Sequence, residues 1–107
     1  MKIIGIDIGT TSLSFAVTDR DTLSVIRNYT IANDSFIQTG NPWERIQDTE
    51  VILSRIRSVL NEILDTYSDI AAIGITSQMH GIVYINSCGH AVSPLYTWQD
   101  GRGALPA

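Results

Sequence analysis

Cysteine, long apolar runs and positive charge are all scarce in this sequence, and each shortage excludes a class of protein. Cys88 is the only cysteine among 107 residues, so no disulfide can form within the chain, and a reducing compartment is expected. No apolar stretch approaches the roughly 20 residues that a membrane-spanning helix requires. Asp7 and Gly9 interrupt the first apolar run, which argues against a secretory signal. The sequence therefore predicts a cytoplasmic protein that does not bind a membrane.

Basic residues are outnumbered by acidic ones, seven to eleven, which gives a formal net charge of −4. A protein with this balance has no broad electrostatic attraction to nucleic acid, so no nucleic-acid partner is expected. Hydrophobic residues make up 44% of the chain, which is enough for a compact core. At this length the chain is expected to be one domain or part of one.

The first segment with a chemical signature is a hydrophobic strand and the turn that follows it. Lys2–Ile8 is apolar on both faces, which is typical of a central strand in an α/β sheet. Asp7 stands near its end, where its carboxylate could bind Mg²⁺, an ion that prefers oxygen ligands and retains several waters. The next residues supply a flexible backbone, amides and hydroxyls that could converge on a phosphate group: Gly9, Thr10, Thr11 and Ser12.

A purely structural interpretation of this segment is also open, since Gly-Thr-Ser turns join strands in many proteins and an aspartate can simply bind turn amides. Leu13, Phe15 and Val17 alternate with smaller or polar residues, so a second strand is predicted at once and the turn is a hairpin. The segment is therefore neither a Walker loop nor a dinucleotide fingerprint, because both of those open a helix.

The middle of the chain predicts two further strands, one on each side of a helix. Leu23–Ile31 is predicted as a third antiparallel strand, and residues 33–43 as a connecting loop. Asp48 is predicted to cap a helix with one apolar face, formed by Ile52, Ile56, Val59, Leu60, Ile63, Leu64 and Tyr67. Ile70–Thr76 is again apolar on both faces and follows a helix, so it is expected to run parallel to the first strand.

Two details extend this prediction. Gly5 and Gly74 fall in the middle of strands, which indicates that a helix or another backbone approaches them closely. A further strand is predicted at residues 82–85, followed by a turn at residues 87–89 and an extended segment at residues 91–96. The order β-β-β-α-β predicts a mixed α/β sheet of the ribonuclease-H-like class, which includes actin- and hexokinase-type ATPases and a set of nucleases.

Two later segments complete a pattern that begins with the Asp7–Ser12 cluster. They are Thr76-Ser77-Gln78-Met79-His80-Gly81 and Trp98-Gln99-Asp100-Gly101-Arg102. Together the three segments resemble the amino-terminal part of the FGGY carbohydrate kinases, over essentially the whole chain. Met79-His80-Gly81 is similar to the ketose kinases, and Trp98–Arg102 looks most like sedoheptulokinases, whereas xylulokinases usually carry asparagine at the position of Gln99. Thr49 replaces a proline that is common in the family.

The resemblance implies an ATP-dependent sugar kinase that uses Mg²⁺. Asp7 would help to hold the metal, the Gly9–Ser12 turn would line the phosphate path of ATP, and the substrate side chains would be Gln78, Met79, His80, Trp98, Asp100 and Arg102. Simpler roles remain open: a strand-end histidine for His80, core packing for Met79, a loop anchor for Trp98, and an Arg102–Asp100 pair that only fixes the loop. His90 matches no family motif and is expected to be exposed.

The resemblance also implies that the chain is incomplete. Residues 1–107 would be the amino-terminal part of the first, sugar-binding domain, and the general base and adenosine pocket would lie beyond Ala107. The 107 residues alone are therefore expected to be inactive. The partner would be a small sugar, a ketose of the sedoheptulose or xylulose type, and a homodimer is one option for the assembly.

Two rival functions share the predicted fold. A ribonuclease-H-like nuclease needs several carboxylates around two metals. One of these carboxylates is typically at the end of the fourth strand, where this chain has Ser77. Glu50 could pair with Asp7, but its position in the first helical turn explains it more simply. A non-enzymatic, actin-like nucleotide sensor would share the Asp7 turn but not the Met79–Gly81 and Trp98–Arg102 segments.

Overall fold

The computed structural model describes residues 1–106, which form two compact units. One unit comprises Met1–Asn33 and Leu53–Gln78, and the other comprises Asp34–Ile52 and the residues from Met79 onward. The elements in chain order are β1 (Lys2–Ile8), β2 (Ser12–Asp19), β3 (Val25–Ala32), β4 (Ile46–Gln47), α1 (Thr49–Thr66), β5 (Ile70–Ser77) and β6 (Leu95–Tyr96), followed by a 3₁₀ turn at Arg102–Ala104. No helix within residues 1–106 has the length and apolarity needed to cross a bilayer.

The first unit contains a four-stranded mixed sheet in the order β3-β2-β1-β5. β1 pairs antiparallel with β2, and β2 pairs antiparallel with β3. On its other side β1 pairs parallel with β5, with Gly5 opposite Gly74 and Asp7 opposite Thr76. This arrangement confirms the predicted fold class, three antiparallel strands followed by a helix and a parallel strand.

One face of this sheet forms the core of the first unit. The buried positions alternate along the strands, as the pleat requires, and include Ile4 and Ile6 of β1 and Leu13, Phe15 and Val17 of β2. Val59 and Ile63 of α1 are buried in the same unit. The alternation seen in the β2 sequence therefore correctly identified its buried face.

The opposite face, which we call the open face, carries Gly5, Asp7, Ala16 and Gly74. A Cβ built on Gly5 or Gly74 would meet no atom within 4 Å. Within residues 1–106, the prediction that another element approaches these glycines closely is therefore wrong. The prediction that β5 is buried is also wrong among these residues, since Ile73 and Ile75 are 44% and 67% exposed. Among residues 1–106, β5 pairs with β1 alone and lies at the edge of the sheet, so it has fewer neighbours than the central strand β1.

Helix α1 begins where the sequence predicted. Oδ1 of Asp48 accepts a hydrogen bond from the N–H of Glu50 at 2.9 Å, which is the geometry of an N-cap. The predicted apolar face is correct for most of its length, but Leu64 is 44% exposed. Each residue turns the helix by about 100°, so Leu64 points away from the direction in which Ile63 is buried. Tyr67 lies beyond the end of the helix at Thr66.

β3 begins two residues later than predicted. Leu23 adopts a left-handed backbone with a φ of 61° in the turn before the strand. Oδ1 of Asp19 accepts hydrogen bonds from the N–H groups of Asp21 and Thr22, each at 2.9 Å, and these bonds stabilise the turn. A left-handed leucine has no sequence signature, so alternation alone extended the strand too far.

The second unit contains a two-stranded sheet that the sequence did not predict. β4 pairs antiparallel with β6, with Ile46 opposite Tyr96. The predicted strand at residues 82–85 is wrong, because only its ends form isolated bridges, Ile82 with Tyr96 and Ile85 with Ala91. The segment predicted at residues 91–96 forms a strand only over its last two residues, which are β6.

The predicted turn at residues 87–89 is confirmed. Oδ1 of Asn86 accepts hydrogen bonds from the N–H groups of Cys88 and His90, each at 3.0 Å, and Gly89 has a φ of 79°. His90 is exposed, as expected, and Cys88 is exposed as well.

Candidate functional site

The turn between β1 and β2, residues 9–11, is closed by a hydrogen bond from the N–H of Gly9 to the carbonyl oxygen of Ser12 at 3.0 Å. A Cβ on Gly9 would lie 2.8 Å from that same oxygen, a distance that side chains do not tolerate. From the sequence, Gly9 was explained by the backbone flexibility of glycine. Gly9 does not adopt a positive φ, so that explanation is wrong. Close approach of the Ser12 carbonyl is the right one.

Asn33 supports this turn from the end of β3. Its side-chain Nδ2 donates to the carbonyl of Gly9 at 2.8 Å, and its backbone N–H donates to the carbonyl of Thr11 at 2.9 Å. Asn33 is only 6% exposed. The sequence placed this residue in a polar loop and gave no signal of its role, because the contact depends on how β3 pairs with β2.

Gln78 supports the same turn from the end of β5. Its N–H donates to the carbonyl of Ile8 at 2.8 Å, and its Oε1 accepts a hydrogen bond from the Thr10 hydroxyl at 3.0 Å. Gln78, which was expected to contact the sugar, thus contacts the Gly9–Ser12 turn, which was expected to contact the phosphates of ATP. A contact between Gln78 and the sugar stays a prediction.

Thr11 provides hydrogen-bond donors that the described part of the chain does not use. Its N–H and its hydroxyl have no hydrogen-bond partner among residues 1–106, and its side chain is exposed. Free donors on a turn with a fixed backbone are suited to binding an anion. Phosphate binding by this turn stays a prediction, and Thr11 has donors available for it.

Asp7 stands on the open face, exposed, with Ser14 opposite it on β2 and Thr76 opposite it on β5. Its carboxylate makes no hydrogen bond or ion pair with any of residues 1–106. A groove of about 610 Å³ runs over this face and is lined by Asp7, Ser14, Thr30 and Thr76, among others. The charge of Asp7 is thus uncompensated and accessible to a cation.

The donor set around Asp7 fits magnesium better than a transition metal. Residues 1–106 contain no group of three or more His, Cys, Asp or Glu side chains that could hold a metal. Magnesium often binds through one or two carboxylates and completes its shell with water and phosphate oxygens. Asp7 could supply such a carboxylate.

In the second unit, His80 has an unusual backbone. Its φ is 59°, a left-handed conformation that costs energy for a residue with a side chain. Met79, the preceding residue, is 72% exposed, so it does not belong to the core. Residues in sparsely populated backbone conformations cluster at active and ligand-binding sites, so His80 is a candidate binding residue.

Trp98 comes close to this segment through backbone pairing. Ile82 and Tyr96 exchange two backbone hydrogen bonds, at 3.0 and 2.8 Å. His80 precedes this antiparallel bridge by two residues and Trp98 follows it by two, so the bridge brings the two segments side by side. Trp98 is 56% exposed, which excludes a fully buried anchor and leaves much of its ring accessible.

Asp100 and Arg102 form a tight ion pair within the second unit. Nε of Arg102 donates to Oδ1 of Asp100 at 2.7 Å, and Nη2 donates to Oε2 of Glu44 at 2.9 Å. The guanidinium also lies over the rings of Tyr96, at 4.3 Å, and Trp43, at 5.4 Å. Of the roles left open by the sequence, loop fixation is thus present; contact with the substrate stays a prediction.

The electrostatics of this pair follow from its hydrogen bonds. The Asp100 side chain is only 3% exposed. The side-chain hydrogen bond from Arg102, followed by the backbone N–H groups of Arg45 and Arg102, lowers the pKa of Asp100 to about 2. The same pairing raises the pKa of Arg102. Both groups are therefore charged at neutral pH.

Comparison with protein families gives a match over nearly the whole chain. Residues 2–105 match the N-terminal domain of the FGGY family of carbohydrate kinases. The chain is 31% identical over 104 residues to the xylulose kinase of Staphylococcus xylosus, covering 94% of this chain and 20% of the relative. It is 34% identical over 108 residues to the glycerol kinase of Agrobacterium fabrum, covering 95% of this chain and 21% of the relative. It is 31% identical over 123 residues to the sedoheptulokinase of Mus musculus, covering 92% and 26%.

Solved structures give a similar result for the fold. The crystal structure of gluconate kinase from Lactobacillus acidophilus matches with a TM-score of 0.82 and 25% sequence identity, over 92% of this chain and 20% of that one. The chain thus spans about a fifth of the length of the S. xylosus relative and of this structural neighbour.

Proposed function

Since the chain belongs to the FGGY family of carbohydrate kinases, we propose that the protein acts in the transfer of the γ-phosphoryl group from MgATP to a hydroxyl group of a sugar. The observation that carries this proposal is the uncompensated carboxylate of Asp7 beside a turn whose Thr11 donors have no partner among residues 1–106. A metal-binding carboxylate and anion-binding donors within a few residues are what a metal–phosphate complex requires.

In this proposal the first unit binds the phosphates of ATP. Magnesium, when bound, neutralises part of the phosphate charge that builds up during transfer. Asp7 would hold and orient the ion, and the Gly9–Ser12 turn would bind phosphate oxygens through the N–H and hydroxyl of Thr11, which have no partner among residues 1–106. Asn33 and Gln78 keep the turn in shape through their contacts with Gly9 and Thr10. Phosphoryl transfer depends mainly on such positioning and on charge neutralisation.

The second unit binds the sugar. A polyol is recognised by neutral donors and acceptors, and the two ring nitrogens of a neutral histidine offer one of each. His80 is assigned this role, since its exposure and strained backbone support it. Met79 and the exposed ring of Trp98 contact the apolar parts of the sugar. Asp100 and Arg102 hold the loop that presents Trp98, and a direct contact of either with the sugar is an extension of this proposal.

We further propose that the sugar is a ketose of the sedoheptulose or xylulose type. Met79-His80-Gly81 supports a ketose, and the Trp98-Gln99-Asp100-Gly101-Arg102 segment supports sedoheptulose. Xylulose kinase and sedoheptulokinase are both among the relatives, although glycerol kinase is as well. The general base and the adenosine pocket are assigned to the length of chain that the relatives have in addition, so the 107 residues alone are expected to be inactive.

The two rival functions gain no support. A nuclease of this fold needs a cluster of carboxylates, and Asp7 has hydroxyl-bearing residues, Ser14 and Thr76, as its neighbours across the strands. A non-enzymatic nucleotide sensor has no use for the exposed His80 and Trp98 segments. Membership of a carbohydrate kinase family explains the His80 and Trp98 segments more simply.

The experiment that tests the proposed function is a substrate survey. The full-length kinase that carries this chain is assayed for ADP release with MgATP and, separately, sedoheptulose, xylulose, ribulose and glycerol. We expect turnover with one of the ketoses, and highest with sedoheptulose. Turnover with glycerol alone would overturn the ketose assignment, and turnover with none of a wide panel of sugars would favour the sensor.

A further inference from the structure

The second unit contains a cavity that none of the proposed substrate side chains lines. Its volume is about 450 Å³, which lies within the range of small-molecule sites. It is formed by Phe36, Ile37, Gln38, Thr39, Asn41, Pro42, Glu44, Arg45 and Gln99. We call it the 36–45 pocket.

The wall of the 36–45 pocket has a fixed backbone. The N–H of Ile37 donates to the carbonyl of Ile46 at 3.0 Å, and Phe36 forms an isolated bridge with Gln47. Within the loop, the N–H of Glu44 donates to the carbonyl of Asn41 at 3.1 Å. These bonds hold both ends of the loop, so the concavity is a built feature of the second unit.

The backbone of Arg45 is firmly held in this wall. Its N–H donates to Oδ2 of Asp100 at 2.9 Å. Its carbonyl oxygen accepts two hydrogen bonds from Thr97, from the N–H at 3.1 Å and from the hydroxyl at 2.8 Å. The Asp100 side chain and Thr97 are 3% and 4% exposed. Both polar groups of the Arg45 backbone are therefore anchored to buried partners.

The guanidinium of Arg45, in contrast, makes no hydrogen bond or ion pair with any of residues 1–106, and the residue is exposed. The other charged side chain of the pocket is Glu44, whose two oxygens accept hydrogen bonds from Asn41 at 3.3 Å and from Arg102 at 2.9 Å. These bonds lower the pKa of Glu44 and compensate its charge. The residues that line the pocket thus include one uncompensated positive charge, that of Arg45.

The remaining lining combines amides with apolar surface. Gln38 and Gln99 are exposed and carry amides that can both donate and accept hydrogen bonds, as recognition of hydroxyl groups requires. Phe36 and Pro42 add apolar area, with Phe36 40% exposed. An arginine on a fixed backbone is suited to binding the oxygens of a phosphate or carboxylate in pairs.

We propose that the 36–45 pocket binds a small hydroxylated anion, a sugar phosphate or a sugar acid, with Arg45 on the anionic group and Gln38 and Gln99 on the hydroxyls. This site is additional to the proposed ATP and sugar contacts and does not depend on catalysis. The Asp100–Arg102 ion pair also supports this pocket, because Asp100 binds the backbone N–H of Arg45 and Arg102 compensates the charge of Glu44.

The test is a titration of the full-length kinase that carries this chain, followed by ¹⁵N–¹H NMR. The probes are glycerol 3-phosphate, gluconate, inorganic phosphate and neutral glycerol. We expect glycerol 3-phosphate or gluconate to shift the amide signals of residues 36–45 and 99, with glycerol at least about tenfold weaker because it lacks the charge that Arg45 binds. Whichever of glycerol 3-phosphate and gluconate binds more tightly shows whether the pocket prefers a phosphate or a carboxylate ligand.

Arg45→Gln is expected to weaken binding of the anionic probe by about tenfold or more, because it removes the charge and leaves the backbone anchors in place. Arg57→Gln is the matched control, an exposed arginine on α1 outside the pocket, and should not change affinity. Should Arg45→Gln disturb the spectrum beyond the pocket, Arg45→Lys serves instead and should weaken binding by a smaller factor.

Three results would overturn the proposal. Shifts that fall outside residues 36–45 and 99 would place any binding elsewhere. Equal affinity of wild type and both Arg45 variants would remove Arg45 from the site. Equal affinity for inorganic phosphate and for both organic anions would show that the pocket does not recognise hydroxyl groups.

Discussion

The hydroxyl of Thr10 donates a hydrogen bond to the side-chain oxygen of Gln78 across 3.0 Å, and this bond ties the turn after β1 to the end of β5. The two residues are far apart in the sequence but meet because β1 and β5 are parallel neighbours. The ends of both strands therefore support one turn. Its shape depends on the sheet as much as on its own residues.

Gly9 should be intolerant of any side chain. Gly9→Ala places a Cβ about 2.8 Å from the backbone oxygen of Ser12, so we expect a loss of roughly 1–3 kcal/mol in the free energy of unfolding. Gly40→Ala is the control, because a Cβ at Gly40 meets nothing within 4 Å. Urea denaturation of both variants measures the difference, and equal stability would show that the turn can relax.

Asp7→Asn should impair catalysis with little effect on stability. The carboxylate has no partner among residues 1–106, so its loss breaks no internal contact. In the full-length kinase we expect kcat to fall by roughly a hundredfold or more, with a higher requirement for Mg²⁺. Asp21→Asn, at an exposed position in the turn between β2 and β3, is the control and should retain activity. An unchanged magnesium dependence in Asp7→Asn would remove Asp7 from the metal site.

His80→Asn separates the side chain from the backbone. Asparagine tolerates the left-handed conformation at a φ of 59°, so the segment should keep its shape while the imidazole is lost. We expect kcat/KM for the sugar to fall by about a hundredfold with ATP binding retained. His90→Ala, at an exposed turn position, is the matched control. Wild-type sugar kinetics in His80→Asn would show that His80 does not contact the substrate.

The ion pair of Asp100 predicts a pH-dependent contribution to stability. The pKa of Asp100 is about 2 in the folded protein against an ordinary value of 3.8. Because the folded-state pKa is depressed, the contribution is complete above about pH 4 and is lost as the pH falls toward 2. Allowing for screening by solvent at Arg102, we expect it to be on the order of 1–2 kcal/mol.

The measurement is urea denaturation of wild type and Asp100→Asn at several pH values. Asp100→Asn should be less stable at pH 7, and the difference should shrink between about pH 4 and pH 2 as wild type loses the charge. Asp21→Asn again serves as the control for a surface carboxylate. A difference that stays constant down to pH 2 would mean that the charge of Asp100 does not carry the stability.

Much of the fold could be predicted because its main elements have strong periodic signals. β1, β2, α1 and β5 are each seven or more residues long, and alternation or helical spacing identified them to within about two residues. The two-residue strands β4 and β6 have no period to detect, so they were missed. Ile82 and Ile85 looked like the ends of a strand, but the chain between them makes no ladder.

The candidate site was predicted less completely, for a physical reason. Asp7, Gly9 and His80 belong to short motifs, and the sequence displays them directly. Asn33 acts through a contact with Gly9 that depends on strand pairing, and Arg45 is fixed by Asp100 across a large separation in sequence. Local sequence cannot show such contacts, because they are set by the tertiary structure.

The most direct test of the central claim is a crystal structure of the full-length kinase with Mg²⁺, a non-hydrolysable ATP analogue and its sugar. We predict that the metal lies within direct or one-water reach of the Asp7 carboxylate. We also predict that phosphate oxygens accept hydrogen bonds from the turn at Thr10–Ser12 and that the sugar contacts His80. Nucleotide bound away from Asp7, with the turn making no contact to phosphate, would contradict the account.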